Sequence, residues 1–474
     1  MTFLQRLLAV SGAMFLFVVA GVAQTEVNAG KLNNICFADQ QIGSDLGAKV
    51  NACDGKLGNS GGEIWINHNA GTTWTTPPKF SGARILRFID GGNYSIALGT
   101  LAFAKGVRID CEGHQHTTLN FTGRSGIALL LNFTTFASGS YEDWGYGIRD
   151  CEIIGPGSLN GTRGNAGTGI QIGDASHATI GIKLDNVRVS GFATGISWEN
   201  CSAWGTVVSN SNFLNNNQDL LHNSCSGGAL SENLKIDHSI FGWTNTHTMN
   251  PEGVLIAGTG TVEINFDDCS FDGDQLVNTG GHVHCINCHF ENPGGATTNF
   301  YLVSSKTTTL VNPQFGQDYS NGAVPPAFIN LTGGQFFYSG LQAYTSAPMR
   351  SVITFNNGAM ASVLVRGDIQ AVSGTFTNGT FAGGSTGALF NCPDRSGNCQ
   401  LNNLRMSGGS GTLFVPALGN INSLPACGPN GSEGAHSVAN DCTSACSAGA
   451  SCRTGGANHC EMYCNGSNWV ETGR

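Results

Sequence analysis

Residues 266–271 read Phe-Asp-Asp-Cys-Ser-Phe, and residues 285–290 read Cys-Ile-Asn-Cys-His-Phe. Both hexapeptides consist of an apolar residue, any residue, Asn or Asp, a small residue or Cys, any residue, and a large apolar residue. Variants of this pattern recur through the middle of the chain, which indicates a solenoid of stacked structural units. The final apolar residues are Ile153, Val189, Phe213, Phe241, Phe271, Phe290 and Phe315.

The third position of the hexapeptide predicts a bend in each unit. Inward side chains of a single strand would be two or four residues apart, but the two apolar positions are separated by five. A bend between two short strands explains this change of phase. Asn and Asp are the residues other than glycine that most readily adopt the left-handed conformation that such a bend needs. The predicted bend residues are Asp150, Asn186, Asn210, His238, Asp268, Asn287 and Asn312.

The composition agrees with many short strands joined by turns. The chain has 474 residues, of which 68 are glycine, and only 11% are charged. Collagen is excluded because the glycines have no strict period, and the hydrophobic fraction of 40% is too high for a disordered chain. The formal net charge of −10 argues against a nucleic acid as partner, because phosphate binding requires a basic surface.

Stacking of the coils predicts one continuous core, since a single coil cannot bury its apolar side alone. The aligned phenylalanines should stack inside it. Cys269 should lie over Cys288, and Cys201 over Cys225. We expect buried free thiols, with disulfides as the alternative, because stacked strands are only ~4.8 Å apart.

The repeat and the segments before it resemble the pectate-lyase-like superfamily. Residues 43–53 and 61–66 are similar to the opening of these proteins, in which a short helix caps the solenoid, and Asp45 is a suitable N-cap. Residues 106–121 are similar to an early coil, and the resemblance covers roughly residues 36–370. It implies an all-β fold, a right-handed parallel β-helix with an N-terminal helical cap.

The N-terminus is typical of an exported protein. Arg6 precedes the apolar stretch 7–20, and small residues at 21–23 suit signal cleavage. No later stretch is long and apolar enough for a membrane span, so we expect a secreted or cell-surface protein, with an uncleaved anchor as the alternative. The predicted segments are a signal peptide at 1–23, an N-terminal cap with the first coils at 30–85, the β-helix at 86–390, a Gly/Ser-rich linker at 391–423 and a Cys-rich module at 424–474.

The last segment predicts a small, disulfide-rich C-terminal module. In an exported chain, closely spaced cysteines favour disulfides. Zinc binding with His436 and His459 is the alternative. The segment resembles small hairpin modules that end some bacterial and phage fibrous proteins, which leaves both a monomer and a trimer open. Its cysteines are Cys427, Cys442, Cys446, Cys452, Cys460 and Cys464.

Two columns of side chains before the bend should face outward and form the candidate site. Asp237 and Asp267 would lie on adjacent strands, about 5 Å apart, close to the ~5–5.5 Å carboxyl separation of retaining glycosidases. Alternatively, the two carboxylates would bind Ca²⁺, the one candidate cofactor. Lys235 or His284 would then abstract a proton in a β-elimination. The first column includes Lys183, Lys235 and His284, and the second includes Asp185, Asp237 and Asp267.

These columns also have a purely structural interpretation. Lys183 with Asp185, and Lys235 with Asp237, have the spacing of exposed ion pairs on a solvated sheet. Such pairs contribute about 0–1 kcal/mol to stability.

An aromatic segment interrupts the repeat before Ile153. Tyr141, Trp144 and Tyr146 could stack on pyranose rings, since aromatic side chains offer a large apolar face with a polar tip. The alternative is that they cover the edge of the core.

Two functions follow from these observations. The first is the binding and cleavage of an extracellular polysaccharide, by a lyase or a glycoside hydrolase; a uronate-type glycan is implied only by the family resemblance. The second is a noncatalytic surface adhesin, or a tailspike-like or fibre-like structural protein. The superfamily includes all of these, and a fold alone does not define an activity.

Overall fold

The protein is described here from a computed structural model. The described residues are 34–123, 125–132, 145–157, 163–174, 179–198, 205–222, 231–242, 249–257, 262–291, 299–317, 327–345, 352–355, 363–376, 379–381, 390–392, 399–406, 415–416, 436–442, 458–464 and 469–471.

Parallel strands stacked in three rows make up the solenoid, which confirms the predicted parallel β-helix. Neighbouring strands of a row come from consecutive coils of the chain. Row I consists of Ile35–Phe37, Glu63–Ile66, Arg84–Phe88, Val107–Asp110, Gly147–Arg149, Lys183–Asp185, Val207–Ser209, Ser231–Asp237, Val262–Asp267, His282–Ile286, Thr308–Val311, Gly334–Thr345, Val363–Phe376 and Cys399–Met406.

The other two rows complete each coil. Row II follows the bend, and it is continued by the second halves of the strands Gly334–Thr345 and Val363–Phe376. Row II consists of Thr73–Trp74, Gly92–Ile96, Thr117–Phe121, Glu152–Ile154, Arg188–Ser190, Asn212–Leu214, Ile240–Gly242, Ser270–Asp272, His289–Glu291 and Gln314–Gln317. Row III consists of Thr100–Phe103, Ile127–Leu131, Thr168–Ile172, Thr194–Trp198, Gln218–His222, Asn250–Ile256, Asp274–Asn278, Leu302–Ser304, Ile329–Leu331, Ile353–Phe355, Phe390–Cys392 and Val415–Pro416.

The bend between rows I and II is built as the hexapeptide predicts. All the predicted bend residues have a positive φ, between 46° and 58°. Some side chains of the bend residues are hydrogen-bonded to those of the next coil. Asn186 Nδ2 donates a hydrogen bond to Asp150 Oδ1 at 2.6 Å, and Asn312 Nδ2 donates to Asn287 Oδ1 at 3.3 Å. Between them, Asn210 Nδ2 donates instead to Asp185 Oδ1 at 3.1 Å.

Stacked phenylalanines form the centre of the core, as predicted. Phe271 and Phe290 are fully buried, with ring centroids 4.7 Å apart and planes 5° apart. Phe213 and Phe241 stack at 5.4 Å, and Phe290 stacks on Phe315 at 4.7 Å. Every coil therefore places its anchor against the anchors of the coils above and below it.

The cysteines divide into bonded and free. Disulfides join Cys36 to Cys53 and Cys111 to Cys151. Cys269, Cys285 and Cys288 are buried and free, as expected for the first and third of them. Burial raises the pKa of the Cys269 thiol, with a smaller effect from Cys288, so this thiol stays protonated and unreactive. Cys201 and Cys225 lie outside the described residues.

The N-terminal cap is the α-helix Leu46–Leu57, accompanied by the 3₁₀ turns Ala38–Gln40 and His68–Ala70. Asp45 is its N-cap, and Oδ1 of Asp45 accepts a hydrogen bond from the backbone N–H of Ala48 at 3.0 Å. The helix closes the end of the core, where a polar cap is needed for a solenoid to stay soluble.

Strands continue beyond the residues in which the hexapeptide is evident. Cys399–Met406 and Val415–Pro416 extend rows I and III within the segment predicted as a linker. The tail has a separate antiparallel sheet of His436–Cys442, Asn458–Cys464 and Trp469–Glu471. The signal peptide predicted at 1–23 lies outside the described residues, among which no helix is long and apolar enough to cross a membrane.

Candidate functional site

The outer face of row I aligns its polar side chains as the repeat predicts. In one column, Lys235 is in register with Asn265, which is in register with His284. In the other column, Asp237 is in register with Asp267. Adjacent positions of a column are separated by one strand spacing, ~4.8 Å. Side chains alternate between the inside and the outside along each strand, and this alternation shifts by one residue at the left-handed bend. The polar columns of row I therefore face outward.

Lys235 holds two of the candidate carboxylates together. Lys235 Nζ lies 3.2 Å from Asp237 Oδ2 and 4.0 Å from Asp267 Oδ2. His238, at the bend, lies between Asp237 and Asp268, with nitrogen-to-oxygen distances of 3.8 Å and 3.6 Å. These five residues form what we call the row I cluster. Repetition of the bend motif in adjacent coils brings them together.

The row I cluster is open to solvent at its rim and sheltered at its base. Lys235 is 45% exposed and Asp267 is 33% exposed, whereas Asp237 is 18% exposed. A ligand could therefore reach both carboxylates and the ammonium group from outside. Two carboxylates one strand apart could act on a glycosidic bond, or could bind a cation such as Ca²⁺ together with a ligand carboxylate.

His284 lies in the same column as Lys235 but two strands away from it. Asn265 occupies the position between them. The structure thus places Lys235 next to Asp237 and Asp267, and places His284 at the edge of the group.

Lys183 and Asp185 repeat the Lys–Asp pair two coils earlier. Lys183 Nζ is 3.7 Å from Asp185 Oδ2. With Arg108 and Arg149 they line a shallow surface pocket on row I. This pocket and the row I cluster are joined by Val207 and Ser209, so the two groups share one face.

Asp185 is held as an anion by its neighbours. Its partial burial raises the pKa, but hydrogen bonds from Asn210 and Ser209 outweigh this effect and lower it below the ordinary value. The positive charges of Lys183 and Arg149 lower it further. Asp185 therefore suits charge recognition or hydrogen-bond acceptance better than proton donation.

The predicted aromatic contacts are described only in part. Tyr141 and Trp144 lie outside the described residues. Tyr146 is half-buried and packs against the core at the start of the Gly147–Arg149 strand. This is the position that the alternative interpretation, coverage of the core edge, would give it.

A second group of metal-ligating side chains on row II was not anticipated from the sequence. Asp272, His289 and Glu291 each place a ligand atom within 4.8 Å of the others. The sequence signal lies next to the anchors: His289 immediately precedes one anchor, and the two acids immediately follow anchors. Those positions vary between coils, so only the strand register shows that they meet.

Row III contributes a buried pair of acids that the hexapeptide does not cover. Asp219 is 0% exposed and Asp274 is 1% exposed. Burial raises the pKa of both, and the charge of Asp274 raises that of Asp219 further. Asn216 Nδ2 donates a hydrogen bond to Asp219 Oδ1 at 2.7 Å. These acids are enclosed and lie away from the outer face.

Comparisons with known proteins identify no family. No protein-family model and no curated protein matches the chain. A protein of Geobacillus virus E2 is 12% identical with a TM-score of 0.41, covering 95% of this chain and 78% of that chain. An Acinetobacter phage tailspike is 12% identical with a TM-score of 0.40, covering 86% and 71%.

An enzyme is also among the similar structures. The catalytic unit of an α-1,3-glucanase from Streptomyces thermodiastaticus is 12% identical with a TM-score of 0.36, covering 79% of this chain and 67% of that chain. Similarities of this size do not identify an activity.

Proposed function

We propose that this protein binds an extended extracellular polysaccharide along the outer face of row I. The observation that carries the proposal is the row I cluster, in which Lys235 Nζ lies within 4.0 Å of the carboxylates of both Asp237 and Asp267. Charged and hydrogen-bonding groups gathered on a rigid, accessible surface suit a ligand rich in hydroxyl and carboxylate groups.

The length of the face suits a linear polymer. The polar columns run in register from Arg108 and Asp110, through Arg149 and Asp185, to His284. Six strand spacings separate the two ends, which corresponds to roughly 30 Å. A chain of several sugar rings would contact the pocket at Lys183 and the row I cluster at the same time.

Two exposed ammonium groups on this face are candidate contacts for an acidic glycan. Lys183 and Lys235 are 46% and 45% exposed and face the same side. Their ammonium groups, with the guanidinium of Arg149, would pair with the carboxylates of a uronate-type chain. The resemblance to the pectate-lyase-like superfamily supports the same class of glycan, and we propose that the protein is exported and acts as a monomer or a trimer.

Cleavage would centre on Asp237 and Asp267. In a hydrolase, one carboxyl group would protonate the leaving oxygen, and the other would attack the sugar carbon to form a glycosyl intermediate that water then releases. In a lyase, Lys235 or His284 would remove the proton next to the uronate carboxyl group, with elimination of the leaving oxygen and no addition of water.

One observation favours a noncatalytic adhesin or fibre-like protein as the second candidate. The Lys–Asp pair at Lys183 and Asp185 repeats that at Lys235 and Asp237, but Ser209 occupies the place of a second carboxylate. A repeated ion pair without a repeated reaction centre is typical of a recognition or structural surface.

The test is incubation of the exported protein with neutral and acidic polysaccharides, with and without Ca²⁺. Binding is followed by affinity electrophoresis and products by mass spectrometry. We expect binding to an acidic polymer that weakens at least tenfold in Lys235→Ala. The matched control is Glu152→Gln, which removes an ion pair with Arg188 on row II and should leave binding unchanged.

The reaction products distinguish a hydrolase, a lyase and a noncatalytic protein. Fragments with one added water, lost in Asp237→Asn and Asp267→Asn, would show a hydrolase. Unsaturated fragments, lost in Lys235→Ala or His284→Ala, would show a lyase. Binding without fragments would show the noncatalytic protein, and no binding to any polymer would overturn the proposal.

A further inference from the structure

Asp272, His289 and Glu291 lie together on the outer face of row II, separate from the row I cluster. Asp272 and Glu291 are in register on adjacent strands. His289 is two residues before Glu291, so both side chains leave the same face of their strand. Their ligand atoms all lie within 4.8 Å of one another, and His289 Nδ1 is 3.6 Å from Glu291 Oε2. We call these three residues the row II triad.

The core beneath the triad holds its two strands in a fixed relation. Phe271 lies next to Asp272 in the chain, and Phe290 lies between His289 and Glu291. The two rings are fully buried and stacked at 4.7 Å. The strands therefore cannot slide past each other without breaking the stack, which keeps the three side chains in position for a ligand.

A neighbouring hydroxyl group orients one of the three side chains. Ser270 Oγ donates a hydrogen bond to Asp272 Oδ1 at 2.5 Å. This leaves Oδ2 of Asp272 as the oxygen available to a ligand. Hydrogen bonds of this kind are the usual way in which proteins orient metal ligands.

Glycines flank the triad along the sheet. Gly242 is in register with Asp272 on one side, and Gly316 is in register with Glu291 on the other. A Cβ atom at position 316 would lie 3.9 Å from His289 Nε2. No side chain covers the triad from these two positions, so a bound ion would keep coordination positions open beyond its three protein ligands.

We propose that the row II triad binds a divalent transition-metal ion, Zn²⁺ or Mn²⁺, through His289, Asp272 and Glu291. An imidazole with two carboxylates is a donor set that these ions accept. Ca²⁺ and Mg²⁺ prefer sites made entirely of oxygen atoms. Three protein ligands leave room for water or for a ligand oxygen. The site is independent of polysaccharide binding at row I.

The experiment is a titration of the full-length, metal-free protein with Mn²⁺, followed by electron paramagnetic resonance, and with Co²⁺, followed by absorbance. Mn²⁺ prefers oxygen and nitrogen to thiolates, so the cysteines near the C-terminus should not compete. With Co²⁺, the triad should give weak ligand-field bands without sulfur-to-metal charge transfer.

We expect Mn²⁺ to bind in a 1:1 ratio to the wild type, and at least tenfold more weakly to His289→Ala and to Glu291→Gln. Glu291→Gln keeps the shape of the side chain, so it serves if His289→Ala does not fold. The matched control is His116→Ala, which removes an exposed histidine that belongs to neither the row I cluster nor the row II triad and should leave Mn²⁺ affinity unchanged. If neither Mn²⁺ nor Co²⁺ binds, or if both triad variants bind Mn²⁺ as tightly as the wild type, the triad is only an ion pair and the proposal is wrong.

Discussion

The interior and the outer face of the same coils follow opposite rules. Inside, positions 241, 271, 290 and 315 are all phenylalanine, and each ring stacks on the next. On the outer face of row I, the residue in one polar column changes from coil to coil, from Lys235 to Asn265 to His284. These coils present a similar environment to the core, so the same residue type recurs at the anchor from Phe213 to Phe315. The outer face has no such constraint, and convergent side chains on it are therefore candidates for function.

The largest expected effect tests the interior. Phe271→Ala removes a fully buried ring that stacks on Phe241 and Phe290. We expect a loss of about 3–5 kcal/mol in the free energy of unfolding, measured by urea denaturation. Phe271→Leu is the milder control and should lose less. A loss below about 1 kcal/mol for the alanine variant would mean that the stack does not stabilise the solenoid.

The buried acid Asp274 should make the stability of the protein depend on pH. Burial is the main cause that raises the pKa of Asp274 to about 6, from an ordinary value of 3.8. Between these values the folded state holds more protons than the unfolded state, so stability should fall as the pH rises through this window. The expected loss is on the order of 2–3 kcal/mol, and the midpoint of thermal unfolding measured from pH 4 to 7 would show it.

Asp274→Asn should flatten that pH dependence and make the protein more stable above pH 6 than the wild type. Asp45 provides the opposite case. Burial raises its pKa, but hydrogen bonds from Thr76 and Thr75 outweigh this and lower it well below 3.8. The stability that the Asp45 carboxylate contributes is therefore lost as the pH falls below the ordinary pKa of an aspartate. An unchanged profile in Asp274→Asn would contradict the assignment of the neutral-pH loss to this acid.

A substitution at the bend between rows I and II should have a smaller effect on stability. Asn287 has a φ of 52° and is exposed. A left-handed residue with a Cβ atom costs about 1–2 kcal/mol, which asparagine offsets in part through local hydrogen bonds. Asn287→Ala should therefore lose about 1 kcal/mol, whereas Asn287→Gly should be nearly neutral. Equal losses in both variants, measured by denaturant unfolding, would show that the side chain matters rather than φ.

The smallest effect on stability is expected at the row I cluster. Asp237→Asn breaks the 3.2 Å ion pair with the half-exposed Lys235. Exposed pairs contribute about 0–1 kcal/mol, so the midpoint of thermal unfolding should hardly move, while hydrolytic cleavage, if the protein is a hydrolase, is lost. A large loss of stability would mean that this outer face is structural, and would favour the noncatalytic interpretation.

Much of the fold could be predicted because neighbouring coils repeat one local rule. The anchors, the inward column and the bend residues are in the predicted register, from Ile153 to Phe315. The pairing of Cys111 with Cys151 could not be predicted, because a long insertion separates them and the repeat does not set its length. The proximity of Asp219 and Asp274 could not be predicted either, because these acids follow turns of different lengths.

The candidate site was predictable in position but not in contacts. The alternation of the strand places Lys235, Asp237 and Asp267 outward, and the spacing of the repeat places the two acids on adjacent strands. The position of Lys235 Nζ near both acids, and the joining of His238 to Asp237 and Asp268, depend on side-chain directions that a linear pattern does not contain.

The sequence by itself determined the stacked coils, the left-handed bend and the phenylalanine core, because these depend on interactions that repeat at every coil. Only the tertiary structure decided which outward residues meet. Asp272, His289 and Glu291 occupy positions that differ from coil to coil, and their proximity is set by the lateral register of two strands. The repeat predicts that register, but the side-chain directions that bring the three ligand atoms within 4.8 Å of one another cannot be obtained from the pattern.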